Sequence, residues 1–180
     1  MKHDDLLGSN CAIERSSAVL GERWVIAILR AAYFRARTFE DYQRRTGIAR
    51  NILTDRLNRL VDFGIMERRE YASGPQRSLH EYRLTPAGIE LYPVIAAILA
   101  WGEKHTGLVN GAPTQLRHRG CGEITHAKVV CECCGEELLP SDVEVGPGPG
   151  ANAPAPPWRP LSERTDPIEP DPIEPDPIGH

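Results

Sequence analysis

The stretch GIARNILTDRLNRLVDFGIMERREY, residues 47–71, changes its hydrophobic period part-way along, and no other feature of the chain constrains the fold as much. Leu53, Leu57, Leu60 and Val61 recur at the three- and four-residue spacing of a helix with one buried stripe. Asn51, Asp55, Asn58, Arg59 and Asp62 fall opposite that stripe, with Arg50 at the helix N-terminus and Arg56 on a flank. After Gly64 the period becomes two. Ile65–Tyr71 and Leu79–Leu84 read as strands, and Ala72-Ser73-Gly74-Pro75-Gln76 supplies the turn between them. The spacing therefore predicts a helix over 50–62 that leads directly into a hairpin.

The flanking sequence sets that pair in a recognisable order. Cys11–Leu20 and a second run from Gly21 to about Tyr33, with Trp24, Ile28 and Leu29 on one face, carry helical patterns. Thr38 followed by Asp41 reads as a capping box opening a third helix to about Thr46, with Asp in place of the usual Glu. Gly47-Ile48 forms a tight turn into the 50–62 helix. Thr85-Pro86 is an N-cap with proline at the first helical position, and that helix is expected to run to about His105, kinked at Pro93. Helix, helix, turn, helix and a ribbon with a Gly-Pro tip is the order of a winged helix-turn-helix. The expected fold class is thus mainly α with a small β-hairpin wing.

Charge distribution bears on what such a fold could do. The formal net charge is −4, yet residues 35–83 hold eleven arginines against seven acids. From Arg159 on, two arginines face Glu163, Asp166, Glu169, Asp171, Glu174 and Asp176, so an acidic tail hides a basic domain. A helix fits the major groove of double-stranded DNA, where Arg and Asn bond guanine and adenine edges and acids accept from cytosine. Arg50, Asn51, Asp55, Arg56 and Arg59 are the candidates for that role, with Arg77 at the hairpin tip expected on phosphate. A polar outer face equally suits an ordinary solvated helix. The confinement of the arginine excess to the winged order favours DNA. MKHDDLLGSN has no apolar signal core, and the longest apolar run, Leu91–Trp101, is too short to span a membrane, so a cytoplasmic protein is expected. The sequence offers no phosphate loop, nucleophile–base pairing or open metal position, and an enzyme is not expected.

These residues also resemble a known family. Residues 11–105 are similar to the HxlR-type transcriptional regulators, relatives of the MarR group. The resemblance rests on Cys11, Gly21-x-x-Trp24, Phe39, Gly47-Ile48, Leu53-Thr54-x-Arg56-Leu57-x-x-Leu60, Gly64, Arg68, Glu81-Tyr82-x-Leu84-Thr85-x-x-Gly88 and Trp101-Gly102. It implies a winged helix homodimer on palindromic operator DNA, usually a repressor, with Leu91–Trp101 and the first helix at the dimer interface. It leaves the effector unknown. Three departures stand out. Ala12 replaces the usual proline after the first cysteine. Thr38, with Arg37 one step earlier, replaces an arginine before Phe39, which moves the implied phosphate contact to Arg37 and Thr38. Ala49 replaces a serine cap, a loss of about 1 kcal/mol.

The cysteines raise separate expectations. Cys11, at a helix N-terminus with Arg15 one turn on, is a candidate redox sensor or a small buried residue of the dimer core. His118-x-x-Cys121-Gly122 and Cys131-x-x-Cys134-Gly135 are two knuckles of one shape, suited to a closed, structural zinc site. Cys133 and His126 are rival ligands, and a redox dithiol at Cys131/Cys134 or a metal-free hairpin are alternatives. The segment could also be a protein- or RNA-binding adaptor. The expected organisation is a flexible N-terminus over 1–10, the winged domain over 11–107 and a zinc-ribbon-like segment over 116–145. A disordered Pro/Gly-rich acidic tail over 146–180 completes it and ends in the DPIEP repeat.

Overall fold

The computed structural model describes residues 6–72, 78–151 and 158–160. Two compact units divide the chain, 1–127 and 128–180.

In the first unit the expected elements form nearly where the sequence places them: α1 (Ala12–Leu20), α2 (Val25–Tyr33), α3 (Phe39–Thr46) and α4 (Arg50–Asp62). The hairpin follows as β1 (Met66–Ala72) and β2 (Ser78–Leu84), antiparallel with Met66 opposite Leu84 and Arg68 opposite Tyr82. The leucine stripe does what its spacing implies. Leu53, Leu57 and Leu60 are fully buried, packed with Val25, Ile28, Leu29, Tyr42, Ile48 and Met66. The Tyr42 ring meets Tyr82 edge-on at 6.3 Å between centroids, and its hydroxyl donates to the Tyr82 carbonyl at 3.2 Å, which ties α3 to the wing. Burial pushes that hydroxyl's pKa well above the usual tyrosine range.

The expected kinked helix over 86–105 is instead two, α5 (Pro86–Glu90) and α6 (Tyr92–His105), broken at Leu91. Proline at 93 cannot donate to the carbonyl of Ile89 and its ring would clash there. Restarting the helix at Tyr92 puts Pro93 in the first turn, where no donor is required. Thr85 caps α5, accepting from Gly88 N at 3.1 Å, while its hydroxyl donates to the Gly64 carbonyl at 2.6 Å. A side chain at Gly88 would place a Cβ 2.1 Å from the Ile65 carbonyl, so only glycine allows α5 to seat against the start of the wing.

Beyond α6 the chain holds a knuckle at 116–125, and the second unit holds another at 129–138. The second unit also contains a 3-10 turn (Pro140–Asp142) and a two-residue ladder of β3 (Glu144–Val145) with β4 (Arg159–Pro160). That ladder lies partly within the stretch read from sequence as a disordered tail; a proline is admissible there because a two-residue edge needs few donors. The DPIEP repeat and Arg77 fall outside the described residues.

Candidate nucleic-acid interface

The helix-turn-helix is locked at both ends of α3. Thr38 Oγ1 accepts from Asp41 N at 3.1 Å, and the Asp41 carboxylate accepts from Thr38 N at 3.2 Å and Arg37 N at 3.3 Å. A hydrogen bond from the Thr38 backbone, helped by the Arg37 backbone, the Thr38 hydroxyl and Arg44, holds the Asp41 carboxyl below its ordinary pKa against the opposing cost of desolvation. Gly47 closes α3 in the left-handed region at φ +68°, bringing the chain round to bury Ile48. Ala49 then opens α4 without any side-chain cap, as the sequence implies.

Arg50 lies across the two helices. Its guanidinium stacks on the Phe39 ring at 4.7 Å and donates to Gln43 Oε1 at 3.1 Å, with Glu40 at 4.0 Å. It is nonetheless largely exposed, so its position is held while its outer edge stays open to solvent. Behind it along α4, Asn51, Thr54, Asp55, Asn58 and Asp62 form a continuous exposed row.

Arg56 and Arg59 occupy a different place. The wheel sets Arg59 on the outer row, but the side chain folds back toward the turn between α1 and α2. There Glu22, only 9% exposed, takes both: Oε1 lies 2.7 Å from Arg59 Nε and Oε2 lies 3.0 Å from Arg56 Nε. Arg56 Nε also donates to the Arg23 carbonyl at 3.2 Å, Arg59 to the Ala18 carbonyl at 3.3 Å, and Arg56 further pairs with Asp55. Long side chains with flexible stems reach buried partners that a wheel cannot anticipate. Glu22 was missed in the sequence. Its signal is faint: one acid in the Gly21-to-Trp24 turn, distant in sequence from both arginines.

Arg37 is exposed, and its carbonyl accepts from Tyr82 N at 2.7 Å, so residues 37–38 run beside β2 as a one-residue third strand. The Thr38 hydroxyl is engaged as the α3 cap. On the wing, Arg68 and Arg69 are exposed, Arg69 pairing with Glu67 at 2.5 Å.

The cysteines fall into two groups. Cys11 is exposed at the N-cap of α1, its N–H donating to Ser9 Oγ at 3.0 Å. In the first knuckle, His118 Nδ1 and Cys121 Sγ stand 3.3 Å apart, Gly122 N donates to the His118 carbonyl at 2.9 Å, and Gly122 has φ +79°. In the second, Gly135 N donates to the Cys131 carbonyl at 2.8 Å with Gly135 at φ +75°. Backbone N–H groups of Cys134 and then Cys133 hold the Cys131 thiol below its ordinary pKa. Among the described residues, no group of three or more His, Cys, Asp or Glu side chains is gathered to hold a metal ion.

Comparison with known proteins places this geometry. The profile of the HxlR-like helix-turn-helix family matches residues 19–109. The uncharacterised HTH-type transcriptional regulator Rv3095 of Mycobacterium tuberculosis is 41% identical over 142 residues, covering 79% of this chain and 89% of the relative. The crystal structure of PA1607, described as a candidate transcription factor, superposes with a TM-score of 0.70 at 31% identity, over 78% of this chain and 97% of that one. The redox regulator HypR in its reduced form superposes at 0.50 with 26% identity, over 56% of this chain and 98% of that one.

Proposed function

The chain belongs to the HxlR-like helix-turn-helix family, and from that premise we propose that it is a homodimeric repressor that occupies palindromic operator DNA. The observation that carries this reading is the exposed row Asn51, Thr54, Asp55, Asn58 and Asp62 beside a pre-positioned Arg50. That row would enter the major groove and read base edges. Arg37, Arg68 and the wing tip with Arg77 would hold phosphates and set the register. Thr38 acts there indirectly, by fixing the start of α3. Arg56 and Arg59 flank the row and are offered to the backbone only as far as Glu22 releases them.

Homodimerisation is supported by the apolar surface that the single chain leaves open. Ile13 on α1 is 77% exposed, and on α6 Val94, Ile98 and Trp101 are exposed. Large contiguous apolar surface of this kind marks an association site. Two copies joined there would present two α4 helices to half-sites about one helical turn apart.

Footprinting on DNA flanking the protein's own gene tests the reading. A protected segment with two-fold symmetry supports it, and no protection even at low salt contradicts it. Repression is tested by a reporter on that promoter, whose output should rise when the protein is removed.

The Cys/His segment we propose to carry a structural zinc ion on His118, Cys121, Cys131 and Cys134. Each knuckle, taken by itself, has the glycine turn that sets two ligands three residues apart, and in the second the backbone N–H groups of Cys134 and Cys133 lower the Cys131 thiol's pKa. Elemental analysis of the purified protein should find one zinc per chain, lost in Cys131→Ser and kept in Cys133→Ser. Metal-free protein from zinc-supplemented cells would contradict it. A redox-responsive variant of the regulator reading is favoured by the exposure of Cys11 and the likeness to HypR. It requires operator affinity to change on mild oxidation in the wild type and not in Cys11→Ser.

A further inference from the structure

The arginines of the first unit are unequally occupied. Glu22 holds Arg56 and Arg59, Asp41 holds Arg44, Glu67 holds Arg69 and Glu81 holds Arg83. Arg35, Arg37, Arg45 and Arg68 are exposed, and among the described residues no hydrogen bond or ion pair reaches their guanidinium groups. Two of these four are joined through the wing. The Tyr82 N–H donates to the Arg37 carbonyl at 2.7 Å, and Tyr82 stands opposite Arg68 on β1. Two strand spacings set the backbones of Arg37 and Arg68 about 10 Å apart. Arg37 also lies two residues before Phe39, the ring on which Arg50 stacks at 4.7 Å. Arg37 and Arg68 thus form a basic edge that runs from beside Arg50 to the wing. Asp55 and Asp62 interrupt the positive charge along the outer row of α4 itself.

The DPIEP repeat has the opposite character. Asp166, Glu169, Asp171, Glu174 and Asp176 are its charges, with no lysine or arginine among them. Each of these acids precedes a proline, which biases it away from helix toward extended backbone. A chain extended in that way advances about 3.1 Å per residue, so acids alternately three and two residues apart recur about every 9 and 6 Å. The whole set spans about 31 Å, more than the about 20 Å length of a 13-residue helix such as α4. Regularly spaced negative charge on an extended backbone is what one strand of a nucleic acid offers to a protein.

We propose that residues 166–176 are an autoinhibitory segment that lies on the basic edge of Arg37 and Arg68 in place of the DNA backbone. The inhibition rests on the DNA-binding reading of that edge; the docking of the segment does not. Charge complementarity selects the occupant. Carboxylates accept what unpaired guanidiniums donate, and the segment answers a stretch holding eleven arginines against seven acids. The apolar groove around Ile13 and Ile98 has no charged side chain in its lining with which to hold it. Weak pairing is enough, because the segment is tethered. At an effective concentration of about 1 mM, an intrinsic Kd of about 0.1 mM weakens DNA binding about tenfold. Salt screens the pairing, so the inhibition is strongest at low ionic strength.

The test keeps the chain at full length. One variant neutralises the segment and leaves its prolines in place: Asp166→Asn, Glu169→Gln, Asp171→Asn, Glu174→Gln and Asp176→Asn together. By fluorescence anisotropy at about 50 mM salt it should bind a labelled random duplex about tenfold more tightly than wild type, a gap that narrows at about 200 mM. A labelled peptide of sequence DPIEPDPIEPDPI should bind this neutral variant, be displaced by duplex, and lose at least about fivefold in affinity when Arg37→Gln and Arg68→Gln are added. If that combination does not fold, Arg68→Gln alone on the exposed strand carries the arm, with a smaller loss expected. Equal duplex binding by wild type and the neutral variant overturns the proposal. So does tighter duplex binding with no peptide binding, because the acids would then act by long-range repulsion alone. Peptide binding indifferent to the arginine substitutions also overturns it and places the segment on another surface. Peptide binding that depends on Arg37 and Arg68, with no duplex bound by either form, fails the regulator reading and leaves the docking standing.

Discussion

Glu22 makes the most specific claim about energetics, because one acid holds two arginines of α4 at 2.7 and 3.0 Å. Glu22→Gln keeps the shape and removes the charge. Removing one partner of a fully buried pair costs about 3–5 kcal/mol, and a fully exposed pair is worth below about 1 kcal/mol. Glu22 is 9% exposed, but its partners are 22% and 26% exposed, so solvent screens part of the interaction. The expected loss is about 2 kcal/mol, a fall in Tm of roughly 10 °C for a domain of this size. Urea unfolding followed by far-UV circular dichroism reads it, with Arg59→Gln and the double variant completing a cycle. The freed arginines should also steepen the salt dependence of binding to random DNA by up to about two phosphate contacts. A loss under about 0.5 kcal/mol, or additive single and double variants, would refute the reasoning: the three side chains would be solvated neighbours and no clamp.

Three smaller perturbations test the local structure. The Asp41 carboxyl is held below its ordinary pKa, so its capping contribution is complete above the unfolded-state value near 4 and fades as pH falls through the lower folded value; Asp41→Asn should therefore cost stability at pH 7 and much less at pH 2.5, measured by urea midpoints. Ala49→Ser adds an absent cap at an extended residue (φ −59°, ψ 140°) and should stabilise the protein by about 0.5–1 kcal/mol, read as a rise in Tm. Gly88→Ala drives a Cβ into the Ile65 carbonyl and should destabilise by more than about 2 kcal/mol, with wild-type stability contradicting the seating of α5 described above.

What could be read in the sequence was whatever depended on neighbours. The 50–62 helix, its leucine stripe and the hairpin are written as periodicities within one window, and the α3 capping box as two residues three apart. The uncapped Ala49 was legible for the same reason. Breaks in the reading came where distant residues meet. Arg59 sits opposite the stripe on a wheel, yet it folds back because Glu22, remote in the chain, is buried nearby. Pro93 announces a disruption but not its form, which is a break at Leu91 with a new helix from Tyr92. The run 91–101 is apolar along most of its length, yet only Ala96 of α6 is buried within the chain, and Ile98 and Trp101 are exposed.

The central claim is that the outer row of α4, led by Arg50, reads base edges. Fluorescence anisotropy of Arg50→Ala on the footprinted operator and on a random duplex of equal length, at one salt concentration, tests it directly. The account predicts operator binding weakened about tenfold or more, with random-duplex binding changed by less than about twofold. An equal loss on both duplexes would make Arg50 a phosphate contact, and no loss on either would place the reading surface elsewhere on the domain.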